Sequence, residues 1–407
     1  MPAMVMDTKR IQIVSQRDTW AVTFADEGQV VGGYRNGDIR RWKIEDGQQQ
    51  GPTVRASDTV RSIVVSQDGR WMVSGDKGTK AIVWNATTHE KVLEFTENTN
   101  SVLGIDISSD CTKVASVDYS KVWIFSITSG VRLLPPLRHP FVTGVKFSPD
   151  GSHIATASET HGFRVYSTHN GNILFDSGEK GSTGSTLGTQ LAWSSDGQQL
   201  FIAKKGKITC FDLSNSVSSE WSIHGSQSLV YIASNGRFIA CAAGSSVSLW
   251  DCVSHKQINS IITHTSQISC VALSPSGGYL ACGSDRNITV HNLRHVLPPE
   301  YFDCGPLRVS QLPLVQVNHE TLKSWTREDL TNTEMLLSEE LRSAPSPSHC
   351  VLASRALIRV RLKHLALAME DVKQSLQVQP SPIGHIAMAV TLLCQGDRKG
   401  ALSYSCV

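Results

Sequence analysis

One short unit recurs along most of this chain: a strand, a tight turn, and a second strand that ends in an aromatic residue. Its clearest copy spans residues 237–251, where 238–243 is an apolar run, Gly244 starts a turn and 247–250 runs back to Trp250. Apolar residues on both faces of each short strand predict a sheet that is covered on both sides. A chain built from such units must therefore pack several sheets against one another.

The copies follow one another at a nearly constant spacing. Aligned on Trp250, the equivalent positions are six aromatic residues and one histidine: Trp42, Trp84, Phe125, Tyr166, Phe211, Trp250 and His291. The steps between these anchor positions are 42, 41, 41, 45, 39 and 41 residues. A period of about 40–45 residues is typical of four-stranded units that repeat around an axis.

The turn that precedes the apolar run has a shared chemistry in six of the seven copies. A glycine follows an acidic residue, asparagine or serine at Gly28, Gly69, Gly151, Gly197, Gly236 and Gly277. Glycine adopts a positive φ without steric cost, which suits a tight turn between two strands. The third copy departs from this pattern, because Cys111 follows Asp110.

These repeats resemble the WD-repeat β-propeller family over roughly residues 10–295. Three copies end in dipeptides close to the family's Trp-Asp: Trp42-Lys43, Trp84-Asn85 and Trp250-Asp251. The resemblance implies a mainly β fold, with a seven-bladed β-propeller at residues 9–296. The family's His–Ser–Asp–Trp network carries over poorly. Only the seventh copy has both His264 and Asp285, and His291 takes the tryptophan position there.

A lone strand precedes the first full copy. Residues 10–15 carry the alternation Ile11, Gln12, Ile13. The seventh copy needs a fourth strand after His291, and Leu297-Pro298-Pro299 makes a poor one. Because an unclosed ring leaves exposed sheet edges, we expect the N-terminal strand to complete the seventh unit.

Helical periodicity replaces the strand pattern in the C-terminal part. Residues 297–347 are predicted to be a linker with a helix near 325–342. Within 348–407, small residues recur at a spacing of 33, as in the pairs Ala356/Ala389 and Ala368/Ala401. This α-helical extension resembles a tetratricopeptide repeat, in which small residues stand where two helices touch. Arg359 stands where an aromatic residue is expected, and the second copy is incomplete.

Composition restricts the kinds of partner. A formal charge of +2 is too small to favour nucleic acid or an anionic membrane as the main partner. Ten cysteines without a Cys-x-x-Cys pair favour a reducing compartment, the cytoplasm or the nucleus. The longest apolar run, residues 387–394, is too short to span a bilayer. These features leave other proteins as the expected partners and do not define an oligomeric state.

No catalytic constellation stands out in the sequence. The histidines are dispersed, no serine lies in a Gly-x-Ser-x-Gly elbow, and no Cys/His spacing suits zinc. We therefore predict no catalytic residue, no cofactor and no metal site, and expect that the chain is not an enzyme.

Charges near the turns between second and third strands suggest a binding rim. Seven residues before each anchor lies the position expected to be most exposed, occupied by Arg35, Lys77, Asp118, Glu159, Lys204, Ala243 and Ser284. Arg286, Arg35 and Lys77 are predicted to form a basic sector, beside an acidic sector of Asp118 and Glu159. The candidate protein-binding residues are Arg35, Lys77, Arg286 and Lys204, and their expected ligands are acidic or phosphorylated segments. The alternative is that these are ordinary solvated turn charges.

The favoured function is a non-catalytic protein-interaction scaffold or adaptor, which presents a propeller rim and a helical groove. One alternative is a substrate-recognition subunit of a cullin–RING ubiquitin ligase. Receptors of that type carry Trp-Asp-x-Arg, whereas Trp250-Asp251-Cys252-Val253 lacks the arginine. Another alternative is a propeller-based hydrolase, which would need polar side chains that converge on the axis.

Overall fold

The computed structural model describes residues 10–15, 17–179, 182–184, 190–223, 230–298, 301–302, 330–343, 348–379 and 382–395. The chain divides into two compact units, residues 1–303 and 304–407. The first is built from β-strands, and the described part of the second is helical. None of the described helices is long and apolar enough to cross a membrane.

The described part of the first unit contains 27 strands. The first fourteen are β1 (Arg10–Val14), β2 (Thr19–Phe24), β3 (Gln29–Tyr34), β4 (Asp38–Lys43), β5 (Gln49–Arg55), β6 (Val60–Val65), β7 (Trp71–Asp76), β8 (Ala81–Asn85), β9 (Lys91–Phe95), β10 (Gly104–Ile107), β11 (Lys113–Val117), β12 (Tyr119–Ser126), β13 (Leu137–Phe147) and β14 (His153–Ser158). The remainder are β15 (Phe163–Ser167), β16 (Ile173–Asp176), β17 (Leu191–Trp193), β18 (Gln199–Lys204), β19 (Lys207–Asp212), β20 (Val217–Ser222), β21 (Val230–Ser234), β22 (Phe238–Ala243), β23 (Ser246–Asp251), β24 (Gln257–Thr263), β25 (Ile268–Leu273), β26 (Tyr279–Ser284) and β27 (Asn287–Asn292).

These strands form six antiparallel sheets in the part of the chain that the structure describes. Five sheets have four strands, in the orders β2–β5, β6–β9, β17–β20, β21–β24 and β1-β27-β26-β25. The sixth has seven strands, β10 to β16 in sequence. Strand β13 serves both halves of that sheet: Leu137 and Arg138 pair with β12, residues from Gly144 onward pair with β14, and Val142 pairs with both.

The sheets pack face to face through the apolar residues that the sequence pattern selects. All seven aligned anchor residues, from Trp42 to His291, lie on the third strand of a four-strand group and are buried. Trp84 packs in one cluster with Val31 and Ile39 of the preceding sheet. Burial of one such aromatic side chain removes about 150–250 Å² from water. The alignment on Trp250 is therefore confirmed for the placement of these side chains.

The first strand of each group packs against the first strand of the next. Each of these first strands contacts the next one in the series β2, β6, β10, β13, β17, β21 and β25. The last strand of the series, β25, contacts β2. The strand ahead of the first repeat is β1, and it pairs with β27 in the register Arg10 to His291 and Val14 to Asn287. Ile13 is buried there in a cluster with Trp42 and Ile288.

The turn at Cys111 keeps the positive φ that glycine adopts in five of the six other copies, all except the one at Gly28. Gly69, Gly151 and Gly197 have φ of 72°, 70° and 69°, and Cys111 has φ of 57°. A residue with a Cβ is strained in this left-handed region. The turn otherwise matches the copies at Gly69 and Gly151: the Asp110 carboxylate accepts a hydrogen bond from the Thr112 N–H at 3.0 Å, as Asp68 and Asp150 do from Arg70 and Ser152.

The second unit contains four described helices: α1 (Leu330–Ser343), α2 (His349–Arg361), α3 (Leu365–Val378) and α4 (Pro382–Cys394). Ala356 and Ala368 are fully buried where α2 and α3 pack, as expected for small residues at a helix contact. Arg359, at the position where the repeat pattern expects an aromatic residue, forms ion pairs instead. It binds Glu334 of α1 at 2.7 Å and Asp371 of α3 at 2.9 Å. The predicted helix residues 325–329 lie outside the described part of the chain.

Candidate functional site

The candidate rim is the end of the first unit where second strands turn into third strands. Because successive strands run antiparallel, these turns lie at the same end of the sheets as the connections from each fourth strand to the first strand of the next group. The Thr59 hydroxyl donates to the Arg35 carbonyl at 2.6 Å, and the Lys77 N–H donates to the Thr59 carbonyl at 2.9 Å. The Ser15 N–H donates to the Arg286 carbonyl at 2.9 Å. Main-chain contacts thus fix each of the three basic residues at this end.

The side chains of the basic sector Arg286, Arg35 and Lys77 are exposed. The Arg35 guanidinium meets Asp18 at 3.4 Å, yet its side chain remains 70% exposed. Exposed pairs of this kind contribute little to stability, at most about 1 kcal/mol. The three cations are therefore placed to meet a ligand at little cost to the fold.

Arg61, which was not among the residues predicted from the sequence, extends this sector toward a small cavity. Its guanidinium stacks on the ring of Trp20 at 4.2 Å. Its Nε and Nη1 atoms are buried, and neither donates a hydrogen bond to any residue that the structure describes. Burial lowers the pKa of Arg61; the nearby Asp58 and Tyr231 oppose this shift, and the charge of Arg35 adds to it. A charged residue inside the apolar strand β6 is the signal that could have identified it.

The cavity next to Arg61 has a volume of about 50 Å³. First strands of several groups line it, through residues that include Trp20, Tyr231 and Ser269. Unsatisfied guanidinium N–H groups are costly to bury, and carboxylates or phosphates match their geometry. The chemistry of this corner therefore favours an oxyanion.

Lys204 differs from the other candidate residues. It is the last residue of β18 rather than a turn tip, and its side chain is only 14% exposed. Its ammonium group pairs with Glu220 at 3.1 Å. Lys204 also lies in a different sheet, β17–β20, from the three sheets that carry the basic sector.

The prediction that Asp118 forms part of an exposed acidic sector is wrong. Asp118 is fully buried, and its carboxylate accepts hydrogen bonds from the Thr99 N–H at 2.7 Å and the Trp123 indole at 3.3 Å. Ala243 and Ser284 are likewise buried, so the position seven residues before each anchor is not uniformly exposed. The reason is that this position lies at or just beyond the end of the second strand, where side chains still point into the packed sheets.

An aromatic cluster, also missed from the sequence, lies at the same end of the third and fourth groups. Phe141 is 43% exposed and stacks with His161 at 5.7 Å and edge-on with Tyr119 at 5.5 Å. Phe141 and Tyr119 both have positive φ, of 54° and 77°. The Tyr119 hydroxyl donates to Glu159 at 2.9 Å. Strained, exposed aromatic residues of this kind concentrate at functional surfaces.

Three ligand-type side chains also meet in the last sheet, although the sequence predicts no metal site. The His264, Cys282 and His291 donor atoms lie within 4.8 Å of one another. They are far apart in sequence, so no spacing motif reveals them. Asp285, expected beside His264 in a hydrogen-bonded network, is exposed.

A family model described as "WD domain, G-beta repeat" matches residues 49–85, 134–167 and 255–292. These segments cover β5–β8, β13–β15 and β24–β27, and each ends one residue after an anchor: Trp84, Tyr166 or His291. The chain contains WD repeats. WD repeats in general indicate a protein-interaction scaffold, and they favour neither a ubiquitin-ligase receptor nor a hydrolase.

The WD repeats also connect the chain to larger proteins. It is 27% identical over 224 residues to apoptotic protease-activating factor 1 of Homo sapiens, which is 50% of this chain and 17% of that protein. It is 30% identical over 120 residues to the same factor of Rattus norvegicus, which is 29% of this chain and 9% of that protein. The chain therefore spans a small part of these relatives.

Proposed function

We propose that residues 9–296 form a closed, seven-bladed WD-repeat propeller that serves as a non-catalytic protein-interaction scaffold. The pairing of β1 with β27 and the packing of β25 against β2 support closure, because together they join the first group to the last. The shared strand β13 supports counting the seven-stranded sheet as two blades.

The second unit is proposed to add a second binding surface. Residues 297–347 would act as a linker and residues 348–407 as a tetratricopeptide-like region with a helical groove. Support comes from the consecutive packing of α2, α3 and α4 around small buried residues such as Ala356 and Ala368. The adaptor role follows from two surfaces in one chain.

The rim is proposed to bind an acidic or phosphorylated segment of another protein. The observation that carries this is Arg61, whose buried Nε and Nη1 find no acceptor among the described residues, although the charges of both Asp58 and Arg35 act on its guanidinium. A carboxylate or phosphate supplied by a ligand would satisfy this hydrogen-bonding capacity. The Tyr119, Phe141 and His161 cluster offers apolar contact area at the same end.

Capture from lysate tests the proposal through a pair of charge-matched variants. The rim variant carries Arg35→Glu, Lys77→Glu and Arg286→Glu. The control variant carries Lys91→Glu, Arg132→Glu and Lys256→Glu, three exposed residues near connections between third and fourth strands, at the other end of the sheets. We expect the rim variant alone to lose acidic or phosphorylated proteins that the wild type captures. Identical captured sets for all three proteins would refute the proposal.

A further inference from the structure

Two buried side chains of the sheet that contains both β1 and β27 meet a third, half-buried side chain from the segment after β24. His264 follows β24, Cys282 lies on β26 and His291 on β27. Cys282 is 1% exposed and His291 is 2% exposed, and His264 is half-buried. The two Nε2 atoms lie 3.2 Å apart, and one ligand atom from each of the three side chains lies within 4.8 Å of the other two. One thiol and two imidazoles are a donor set that zinc accepts.

The geometry of the imidazole pair fits a shared ion. Zinc lies about 2.0–2.1 Å from a histidine nitrogen, so two nitrogens 3.2 Å apart would subtend about 100° at it. That angle is close to the tetrahedral value. Rings that both aim their Nε2 lone pairs at one such ion have centres about 5 Å apart. The observed separation of the ring centres is 5.0 Å.

Comparison with the second repeat shows what these residues replace. There, Ser74 pairs with Ile82 across β7 and β8, and the Trp84 indole donates to the Ser74 hydroxyl at 2.9 Å. Cys282 pairs with Thr289 across β26 and β27, two residues before His291. Cys282 and His291 therefore occupy the positions of the serine and tryptophan. Cysteine and histidine are better metal ligands than the serine and tryptophan that they replace, and His264 provides a third ligand.

We propose that His264, Cys282 and His291 bind a zinc ion within the last sheet, through Nε2, Sγ and Nε2. The Cys282 thiol would release its proton on binding, and each imidazole would coordinate in its neutral form. The ion would link β26 and β27 to the segment after β24.

The surrounding charge explains why the thiol is needed. Arg10 lies opposite His291 in the backbone register of β1 and β27, and its positive charge acts on the imidazoles of both His264 and His291. A positive guanidinium disfavours a divalent cation nearby, and the thiolate offsets part of that repulsion. Two neutral histidines alone would be a much weaker site.

Cobalt binding tests the site, because Co²⁺ substitutes for zinc and a thiolate ligand gives it a near-ultraviolet charge-transfer band. The full chain is reduced, stripped with a chelator, and titrated with Co²⁺ and then with Zn²⁺. We expect one equivalent of Co²⁺ to produce the band and Zn²⁺ to remove it. The melting temperature should rise with Zn²⁺.

Variants assign the band to this cluster. Cys282→Ser should abolish it, and so should His291→Phe, which installs the aromatic residue found at the anchor positions Phe125 and Phe211. Cys241→Ser is the matched control, since Cys241 is buried on β22 and pairs with Ser248, two residues before Trp250. This control should keep the band. Absence of the band in the wild type, or its persistence in Cys282→Ser, would overturn the proposal.

Discussion

The indole nitrogen of Trp84 donates a 2.9 Å hydrogen bond to the hydroxyl of Ser74 on the neighbouring strand. Both side chains are buried, so water cannot replace either partner. In the preceding sheet, the Trp42 indole donates to the Tyr34 hydroxyl at the same distance. A polar acceptor on the second strand thus lets a large indole pack between sheets without an unsatisfied N–H.

Ser74→Ala should therefore destabilise the first unit by about 1–3 kcal/mol, the cost of leaving a buried donor unpaired. Urea denaturation followed by tryptophan fluorescence measures this loss. Ser129→Ala, at an exposed turn, is the control and should change the free energy of unfolding by less than about 0.5 kcal/mol. Equal effects of the two substitutions would mean that the indole finds another acceptor.

The contribution of β1 can be tested with two adjacent residues on the same strand. Ile13 is 1% exposed and packs against Trp42 and Ile288, whereas Val14 is 64% exposed. Ile13→Ser should cost about 2–5 kcal/mol because it removes buried apolar volume, and Val14→Ser should cost less than about 1 kcal/mol. Thermal unfolding compares them. If both variants melt like the wild type, β1 does not hold the ends of the proposed ring together.

Acid should weaken the turns that contain Asp110 and Asp150. Burial by itself raises the pKa of each carboxyl. The hydrogen bonds that the carboxylates accept, those from Ser108 and Ser148 first among them, together lower the pKa by more, so that both pKa values are about 2. The unfolded value is about 3.9. The stabilisation is therefore complete above about pH 5 and is lost as the pH falls toward about 2.

The pH dependence is measured by melting the wild type and an Asp110→Asn, Asp150→Asn double variant between pH 6 and pH 2. The variant should be less stable at pH 6, and the difference should shrink on acidification. Parallel curves across this range would contradict the assignment of acid sensitivity to these two turns.

In the helical unit, Asp371 holds two arginines. It accepts two hydrogen bonds from Arg355, at 3.0 and 2.7 Å, and one from Arg359 at 2.9 Å. Asp371→Ala should cost about 3 kcal/mol, because it leaves two partly buried guanidinium groups without their anion. Hydrogen exchange of α2 and α3 in the full chain reports the loss. Glu370→Ala, at the neighbouring position, is the control and should leave the exchange rates unchanged.

The sequence predicts the buried anchors and the strand order well, because both depend on a period that every copy shares. In the third copy the sequence shows only that glycine is missing from the turn. It does not reveal that Cys111 keeps the left-handed conformation, in a turn with the same Asp-to-backbone hydrogen bond as the copies at Gly69 and Gly151. Asp118 was predicted to be an exposed charge, but at the end of a strand a shift of one residue along the chain is enough to turn a side chain from solvent into the packed sheets. The His264–Cys282–His291 cluster depends on contacts between distant strands, which no local pattern encodes, whereas Arg61 was visible only as a charge inside the apolar strand β6.

The most direct test of the rim is a titration of a fluorescently labelled polyglutamate peptide with the wild type, the rim variant and the control variant. Reversal of Arg35, Lys77 and Arg286 should leave the melting temperature almost unchanged, since exposed charges add little to stability. We expect the wild type and the control variant to bind with an affinity that weakens as salt rises, and the rim variant to show no binding. Equal binding by the rim variant and the control variant, or wild-type binding that does not depend on salt, would contradict an acidic ligand at this rim.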